Sequence, residues 1–186
     1  MWSGALAIPS EPRSIVLTGF MGTGKSTVAR LLAEALGRPL VDSDDLIVER
    51  AGLTIPEIFA QQGEAAFRAL EARLCAELAA QTGLVIATGG GMLIPPGNRA
   101  LMLRSAVVIC LDAAPETIEA RLNTSAGRPL AGQWRELYEA RKPVYAALPH
   151  HLATDDLTIG QAVQALRSLV QGILPVVAPE GRYVLL

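Results

Sequence analysis

Four short apolar runs, each followed by a segment with helical periodicity, constrain the fold of this chain most strongly. Because strands that alternate with helices form crossover units, the pattern predicts a parallel sheet. The runs lack strict period-two alternation, so we expect helices to cover both faces of that sheet. The chain is therefore predicted to be an α/β protein, a three-layer α/β/α sandwich with a parallel sheet. The runs are SIVLTG at 14–19, PLVDSD at 39–44, GLVIATGGG at 83–91 and AVVICLDA at 106–113.

Capping and periodicity signals mark where several helices begin and end. Apolar residues at helical spacing predict a helix over about 25–36. Thr54 and Glu57 have the spacing of a capping box, which predicts a short helix that ends near Gly63. A longer helix is predicted to follow over about 64–81.

The length of the chain indicates one domain. Domains commonly contain about 100 to 200 residues, and the chain has 186. We expect a single domain over 1–186, with a core over about 14–170. The stretch at about 172–186 contains prolines and no periodic pattern, so we treat it as a C-terminal extension.

Composition and charge limit which partners the protein can have and in which cellular compartment it is expected. No run reaches the roughly 18 apolar residues of a membrane span, so we expect no membrane association. The opening MWSGALAIPSEPRS lacks the basic and apolar regions of a secretion signal, and we predict a cytoplasmic protein. A net charge of −2 argues against a nucleic-acid partner. Cys75 and Cys110 are far apart in the sequence, and neither has a histidine at metal-ligand spacing. We therefore expect buried reduced thiols with no disulfide and no zinc.

One glycine-rich loop carries recognisable chemistry. The segment from Gly19 to Ser26 satisfies GxxxxGK[ST] between a predicted strand and a predicted helix. Its glycines allow backbone amides to face bound phosphates, and the following helix adds the positive end of its dipole. In this motif the lysine reaches the β and γ phosphates and the hydroxyl ligates Mg²⁺. We predict a nucleoside triphosphate site, the alternative being a purely structural glycine turn. Its predicted binding residues are Gly22, Thr23, Gly24, Lys25, Ser26 and Thr27.

Carboxylates follow the second predicted strand. Because the carboxyl ends of parallel strands open onto the ligand crevice, Asp42 and Asp44 are expected beside the phosphates. Alternation along an extended segment sends both to one side. One would support Mg²⁺ through its water shell, and the other would meet an acceptor hydroxyl as orienter or base. The alternative is that these residues are helix N-caps, Asp45 in particular.

Two further patterns indicate a small acceptor molecule. Arg68 and Glu71 lie three apart on one predicted helical face, so the glutamate can orient the guanidinium, although a solvated surface pair has the same spacing. The third predicted strand ends in three glycines, where two suffice for a turn. A third indicates that a small molecule lies against the backbone there. These glycines are Gly89, Gly90 and Gly91.

Taken in order, these motifs resemble the shikimate kinase family, over roughly residues 14–170. The resemblance implies a P-loop fold like that of nucleoside monophosphate kinases. It also implies ATP-dependent phosphorylation of the shikimate 3-hydroxyl, with Mg²⁺, in the pathway to aromatic amino acids. The partners are then shikimate and ATP, and we expect a monomer. Beyond the phosphate loop, the matching motifs are DSD at 42–44, FR at 67–68, GGG at 89–91, GRPL at 127–130 and RKPVY at 141–145.

The resemblance implies roles on the nucleotide side. Ser26 and Asp42 match the family's Mg²⁺ site, with Asp42 acting through water. Arg121 matches the arginine that packs on adenine, and Arg128 matches the arginine of a lid that closes onto the phosphates. The segment NTSAGRPLAGQ at 123–133 contains two glycines, which fits a mobile lid.

On the acceptor side, the resemblance implies that Arg68 and Arg141 bind the substrate carboxylate, with Glu71 holding Arg68. Planar guanidinium groups suit this task because they bind a carboxylate in two places. Asp44 matches the aspartate that hydrogen-bonds the shikimate hydroxyls and can take the proton. The triple glycine at 89–91 matches the backbone that lines the ring.

We predict Lys25, Asp44 and Arg128 as the catalytic residues. An arginine brought to the transferring phosphoryl group contributes roughly 10³ to 10⁵ in rate. A general base contributes roughly 10² to 10⁴, and in a loose transition state the proton leaves late. Positioning and charge are therefore expected to outweigh deprotonation.

Two alternative functions remain open at this stage. A related kinase acting on gluconate would share the phosphate loop but would not require the triple glycine with both arginines. A nucleotide-binding module without transfer activity would not require the Lys25, Asp42, Asp44 and Arg128 set. His150 and His151 follow a proline in a stretch that resembles a turn, and we assign neither of them a function.

Overall fold

The computed structural model describes residues 13–123 and 134–173, together with the backbone of 176–177 and 183–184. The predicted lid arginine, Arg128, and the GRPL motif lie outside the described residues. So does most of the predicted C-terminal extension.

A five-stranded sheet forms the centre of the molecule. All of its strand pairs are parallel, and the strand order is β2-β3-β1-β4-β5. The predicted α/β class with a parallel sheet is confirmed. The strands are β1 Ser14–Thr18, β2 Leu40–Asp42, β3 Val85–Ala87, β4 Ala106–Asp112 and β5 His150–Ala153.

Helices connect these strands in the described ranges. The crossover helices lie on both faces of the sheet, as expected for parallel strands. A short antiparallel pair, β6 Val176–Val177 with β7 Tyr183–Val184, follows them in the chain. The helices are α1 Lys25–Leu36, α2 Ser43–Ala51, α3 Ile55–Ala79, α4 Pro96–Ser105, α5 Pro115–Asn123, α6 Trp134–Ala146 and α7 Ile159–Ile173.

Two apolar clusters cover the two faces of the sheet. Val16 belongs to one cluster, with residues of α3, α4 and α6, whereas its neighbours Ile15 and Leu17 belong to the other, with α1 and α7. Adjacent strand residues point to opposite faces, so both faces of β1 are buried. This arrangement is the predicted three-layer sandwich.

The second strand is shorter than its sequence pattern predicted. It ends at Asp42, which is the N-cap of α2, and Asp42 Oδ1 accepts a hydrogen bond from the Asp44 amide at 3.0 Å. Asp44 and Asp45 therefore lie in the first helical turn, and alternation along a strand does not relate Asp42 to Asp44. The N-cap alternative applies to Asp42 and was wrong for Asp45.

The helical break at Gly63 is confirmed. Gly63 has φ 82° and ψ 168° between two helical segments of α3. Thr54 begins the first segment with the predicted capping box, in which Glu57 Oε2 accepts from the Thr54 amide at 2.7 Å. The second segment ends at Ala79, near the predicted 81.

The fifth strand was not predicted. His150 and His151 begin β5 and do not form a turn. β5 is an edge strand, its alternate residues are exposed, and its first two residues are histidines. It therefore lacks the apolar run by which the other strands were predicted. Within the described ranges, none of the helices is long and apolar enough to cross a lipid bilayer.

Candidate active site

The glycine-rich loop lies at the carboxyl end of β1 and leads into α1. Gly19 has φ 135°, and a Cβ there would overlap the Leu111 carbonyl oxygen, so no other residue fits without a backbone shift. Gly24 is the N-cap of α1 with φ 92°, and it has no side chain with which to cap the first turn. The amide hydrogens of that turn are thus available to an anion.

Side chains within the loop converge on one carbonyl. Lys25 Nζ and Thr23 Oγ1 each donate to the Phe20 carbonyl oxygen at 2.8 Å. These contacts lay the lysine across the loop, where an incoming phosphate oxygen can replace the carbonyl as its acceptor.

The two predicted metal ligands lie in direct contact. Ser26 Oγ donates to Asp42 Oδ2 at 2.7 Å, which links the start of α1 to the end of β2. A hydroxyl and a carboxylate are the hard oxygen ligands that Mg²⁺ prefers, and Mg²⁺ commonly keeps several waters beside one or two such ligands. The residues present therefore fit a Mg²⁺ ion.

Asp44 is half-buried and lies in a negatively charged environment. Burial raises the pKa of its carboxyl to about 6, and the charges of Asp42 and Glu71 add to the rise, while the Lys25 charge opposes it. A carboxyl with a pKa near neutrality can exchange a proton with a substrate hydroxyl at physiological pH.

Each of the three consecutive glycines lies against a different predicted acceptor-binding side chain. A Cβ on Gly89 would overlap Asp44 Oδ1, and one on Gly91 would overlap Arg68 Nη1. A Cβ on Gly90 would lie 3.4 Å from Arg141 Nη1. The glycines thus allow Asp44, Arg68 and Arg141 to approach the same stretch of backbone.

Arg68 is held by two glutamates on its own helix. Its Nη1 donates to Glu71 Oε2 at 2.6 Å and its Nη2 to Glu64 Oε1 at 2.9 Å. Glu71 is only 1% exposed, so it fixes one end of the guanidinium from within the core. The predicted contact between Arg68 and Glu71 is therefore present, and it is not a solvated surface pair.

Tyr145 and Ser43 anchor the glycine segment, and the sequence patterns gave neither a role. The Tyr145 hydroxyl donates to the Gly90 carbonyl oxygen, and the Gly89 amide donates to Ser43 Oγ at 2.8 Å. Tyr145 is the last residue of the RKPVY motif, so the sequence could have indicated a role for it. Ser43 lies between two aspartates, and nothing else in the sequence indicated a role for it.

Arg121, near the end of α5, contacts the phosphate loop directly. Its Nη1 donates to the Gly22 carbonyl oxygen at 3.2 Å and its Nη2 to the Thr154 carbonyl oxygen at 2.9 Å. A cavity of about 240 Å³ opens beside it. Thr154 is buried there and was not predicted, because a lone threonine after an unrecognised strand gives no pattern. The cavity is also lined by Thr23, Gly24, Thr27, Leu157 and Ile159.

Aromatic residues connect the loop to α6. Phe20 and Tyr138 pack edge to face with ring centroids 5.3 Å apart, and Trp134 packs on Tyr138 at 6.4 Å. Trp134 and Tyr138 lie four apart and attach the start of α6 to the core. The fold and this site together define a P-loop kinase that acts on a small molecule.

A shikimate kinase family model matches residues 21–171, and the chain belongs to the shikimate kinase family. A shikimate kinase from Geobacter sulfurreducens is 44% identical over 172 residues, which cover 92% of this chain and 93% of the relative.

Solved structures agree with this assignment. The shikimate kinase of Bacteroides thetaiotaomicron superposes with a TM-score of 0.80 at 33% identity, covering 86% of this chain and 98% of that one. The Acinetobacter baumannii shikimate kinase, solved in complex with shikimate, gives 0.76 at 35% identity, covering 87% and 93%. The chain is thus an ATP-dependent kinase of the shikimate kinase family. This assignment takes the place of the two alternatives left open by the sequence, a gluconate kinase and a nucleotide-binding module without transfer activity.

Proposed function

We propose that this chain transfers the γ-phosphoryl group of ATP to the 3-hydroxyl of shikimate, giving shikimate 3-phosphate and ADP for aromatic amino acid biosynthesis. The observation that carries the proposal is the contact of three glycines with Asp44, Arg68 and Arg141. Two cations and one carboxylate around a bare backbone match an acceptor that has both an acid group and hydroxyls.

The nucleotide is proposed to lie along the phosphate loop. The amides of Gly22–Thr27 and the start of α1 bind its phosphates, with the Lys25 ammonium between the β and γ groups. The adenine is proposed to enter the cavity beside Arg121, whose guanidinium already contacts the Gly22 carbonyl. A planar guanidinium stacks well on an aromatic base.

Ser26 and Asp42 are proposed to hold Mg²⁺, with Asp42 acting through a bound water. Mg²⁺, when bound, neutralises charge on the phosphate oxygens. The 2.7 Å contact between Ser26 Oγ and Asp42 Oδ2 supports this assignment, because it brings the two oxygen donors to the start of α1.

The acceptor is proposed to bind through its carboxylate. Arg68 and Arg141 each offer a fork of N–H donors, and such charge-assisted pairs fix the angle of a carboxylate as well as its position. Glu71 fixes the position of Arg68, and Arg141 is proposed to bind the same carboxylate from the other side. With the acid group fixed, the hydroxyls of the ring face Asp44.

Asp44 is proposed to orient the attacking hydroxyl and to accept its proton. Its raised pKa, about 6, lies close enough to neutrality for this exchange. Lys25, and Arg128 on lid closure, are proposed to stabilise the charge on the transferring group. Because the transition state is loose, we rank this positioning and charge stabilisation above proton removal.

A coupled assay of ADP release tests the proposal. Purified chain with ATP and Mg²⁺ is supplied with shikimate, with gluconate or with no acceptor. Release that depends on shikimate alone is the expected result. Equal release with gluconate, or release without any acceptor, would contradict the proposed acceptor.

The remaining expectations stay predictions. They are a single domain over 1–186 with a lid at about 123–133, a monomeric state and a cytoplasmic location. Light scattering on the purified chain measures its mass in solution and so tests the monomer directly.

A further inference from the structure

Three potential metal-binding side chains meet on one face of the sheet, at the end of β4 and on β5, and the cavity beside them is also lined by Phe20 and Thr23 of the phosphate loop. Cys110 and Asp112 lie two apart on β4, so both point to the same face. His151 on β5 is the direct strand partner of Cys110. Pairing of β4 with β5 therefore brings together residues that are far apart in sequence.

The donor atoms of the three side chains are close enough for one ion. Asp112 Oδ1 lies 3.3 Å from Cys110 Sγ, Asp112 Oδ2 lies 2.6 Å from His151 Nδ1, and all three donor atoms lie within 4.8 Å of one another. Zinc bonds of about 2.0 to 2.3 Å in a tetrahedron separate ligand atoms by roughly 3.5 Å. To reach that geometry, His151 Nδ1 and Asp112 Oδ2 would have to move apart from their present 2.6 Å.

Both ring nitrogens of His151 have partners that fix the position of the ring at the cluster. His151 Nε2 lies 2.9 Å from the Leu148 carbonyl oxygen, which can only accept a hydrogen bond, so Nε2 carries a proton. Nδ1 faces the Asp112 carboxylate at 2.6 Å, where it can donate a hydrogen bond. On metal binding Nδ1 would release any such proton to solvent and bind the ion through its lone pair. Metal-binding histidines commonly have their second nitrogen fixed in this way by a backbone carbonyl.

The cluster also has an entrance. Cys110 is fully buried, whereas the side chains of His151 and Asp112 are 35% and 43% exposed. A cavity of about 330 Å³ opens onto Asp112 and His151, and Phe20 and Tyr145 form part of its wall. An ion can therefore enter from solvent, and a water can occupy a fourth coordination position.

We propose that Cys110, Asp112 and His151 form a second metal site, which takes a divalent ion with affinity for sulfur, such as Zn²⁺. The set of one sulfur, one nitrogen and one oxygen donor suits Zn²⁺ or Co²⁺ and does not suit Mg²⁺. On binding, the Cys110 thiol loses its proton to solvent and the thiolate forms the metal–sulfur bond. The sequence gave the opposite expectation, because no histidine lies near either cysteine along the chain.

Cobalt is the most informative probe, because a cobalt–thiolate bond produces a charge-transfer absorption in the near ultraviolet. The full chain is freed of metal with a chelator and titrated with Co²⁺ alone. We expect the charge-transfer band to saturate at one equivalent and to be removed by added Zn²⁺ but not by Mg²⁺.

Matched variants locate the site. Cys110→Ser should lose the band, whereas Cys75→Ser, which changes the other buried cysteine, should keep it. His151→Ala changes a partly exposed side chain, so it should fold and weaken Co²⁺ binding by at least tenfold. Circular dichroism of each variant checks the fold.

Three outcomes would overturn the proposal. The first is the absence of a charge-transfer band in the folded wild-type chain with excess Co²⁺. The second is an unchanged band and unchanged Co²⁺ affinity in folded His151→Ala. The third is loss of the band in folded Cys75→Ser. Asp42→Asn, which alters the proposed Mg²⁺ site, should keep the cobalt band, so this test is independent of the kinase mechanism.

Discussion

At the scale of single residues, the proposed acceptor site depends on three consecutive positions that have no side chain. Three glycines leave room for one carboxylate and two guanidinium groups, and each glycine faces a different one of them. The functional groups were predictable because they belong to short motifs. Their one-to-one contacts with the glycines were not, since these depend on how α2, α3 and α6 pack against the end of β3.

Gly89→Ala tests this arrangement directly. The added methyl would displace the Asp44 carboxylate, and a shift of about 1 Å in a reacting group can cost about 10²-fold in rate. We expect kcat to fall about 10²-fold with little change in the KM for ATP. Gly97→Ala is the matched control, because a Cβ there meets nothing within 4 Å, and it should leave kcat unchanged. A normal kcat for Gly89→Ala would contradict the placement of Asp44.

Arg68→Ala tests the proposed carboxylate clamp. Loss of one guanidinium should raise the KM for shikimate by tenfold or more and change the KM for ATP far less, since of the two substrates only shikimate is proposed to contact Arg68. Initial rates at varied concentrations of each substrate measure the difference. Arg73→Ala, on the exposed face of the same helix, is the control.

Equal rises in both KM values for Arg68→Ala would show that Arg68 does not touch the acceptor. A thermal melt accompanies the kinetics, because Glu71 is buried and loses its partner in this variant. Arg68→Lys keeps a positive charge without the planar fork, so it should bind shikimate more weakly than the wild type while retaining more stability than Arg68→Ala.

At the scale of elements, helix ends position the chemistry. Asp42 ends β2, caps α2 and contacts Ser26 at the start of α1, so one carboxylate serves both the fold and the proposed metal site. The sequence offered these as alternatives. The N-cap role is observed, and it is compatible with the proposed metal role because the two oxygens of Asp42 have different partners.

Two substitutions at Asp42 separate these roles. Asparagine is a good N-cap, so Asp42→Asn should keep most of the stability while kcat falls and the demand for Mg²⁺ rises. Asp42→Ala should lose in addition about 1 kcal/mol of unfolding free energy. Urea unfolding and the Mg²⁺ dependence of kcat measure the two effects. Unchanged Mg²⁺ dependence in both variants would argue against a metal role.

The break in α3 is the second element-level feature with a measurable consequence. Gly63 has backbone angles that are almost restricted to glycine, although a Cβ there would meet nothing within 4 Å. Gly63→Ala should therefore lower the free energy of unfolding by about 1 to 3 kcal/mol through backbone strain alone. Gly172→Ala, in open space within α7, should be neutral or stabilising. Equal stability of the two variants would contradict the strain.

At the scale of the whole molecule, strand order assembles the site. β1 lies between β3 and β4, so the phosphate loop after β1 adjoins both the glycine segment after β3 and the end of β4. Because all strands run parallel, these segments meet at one edge of the sheet. The aspartates after β2 reach the same edge.

Features that depend on local or repeated patterns were predictable from the sequence. These include the parallel sheet, the phosphate loop and the helical break at Gly63. Features that depend on strand pairing were not. His150 and His151 hid β5 because they break its apolar pattern, and only the pairing of β4 with β5 brings His151 to Cys110.

The most direct test of the central claim is a crystal structure of the chain with ADP, Mg²⁺ and shikimate. The account predicts that Arg68 and Arg141 contact the shikimate carboxylate and that the Asp44 carboxylate lies within hydrogen-bond distance of the 3-hydroxyl. Shikimate bound elsewhere, or with both guanidinium groups turned to solvent, would contradict it.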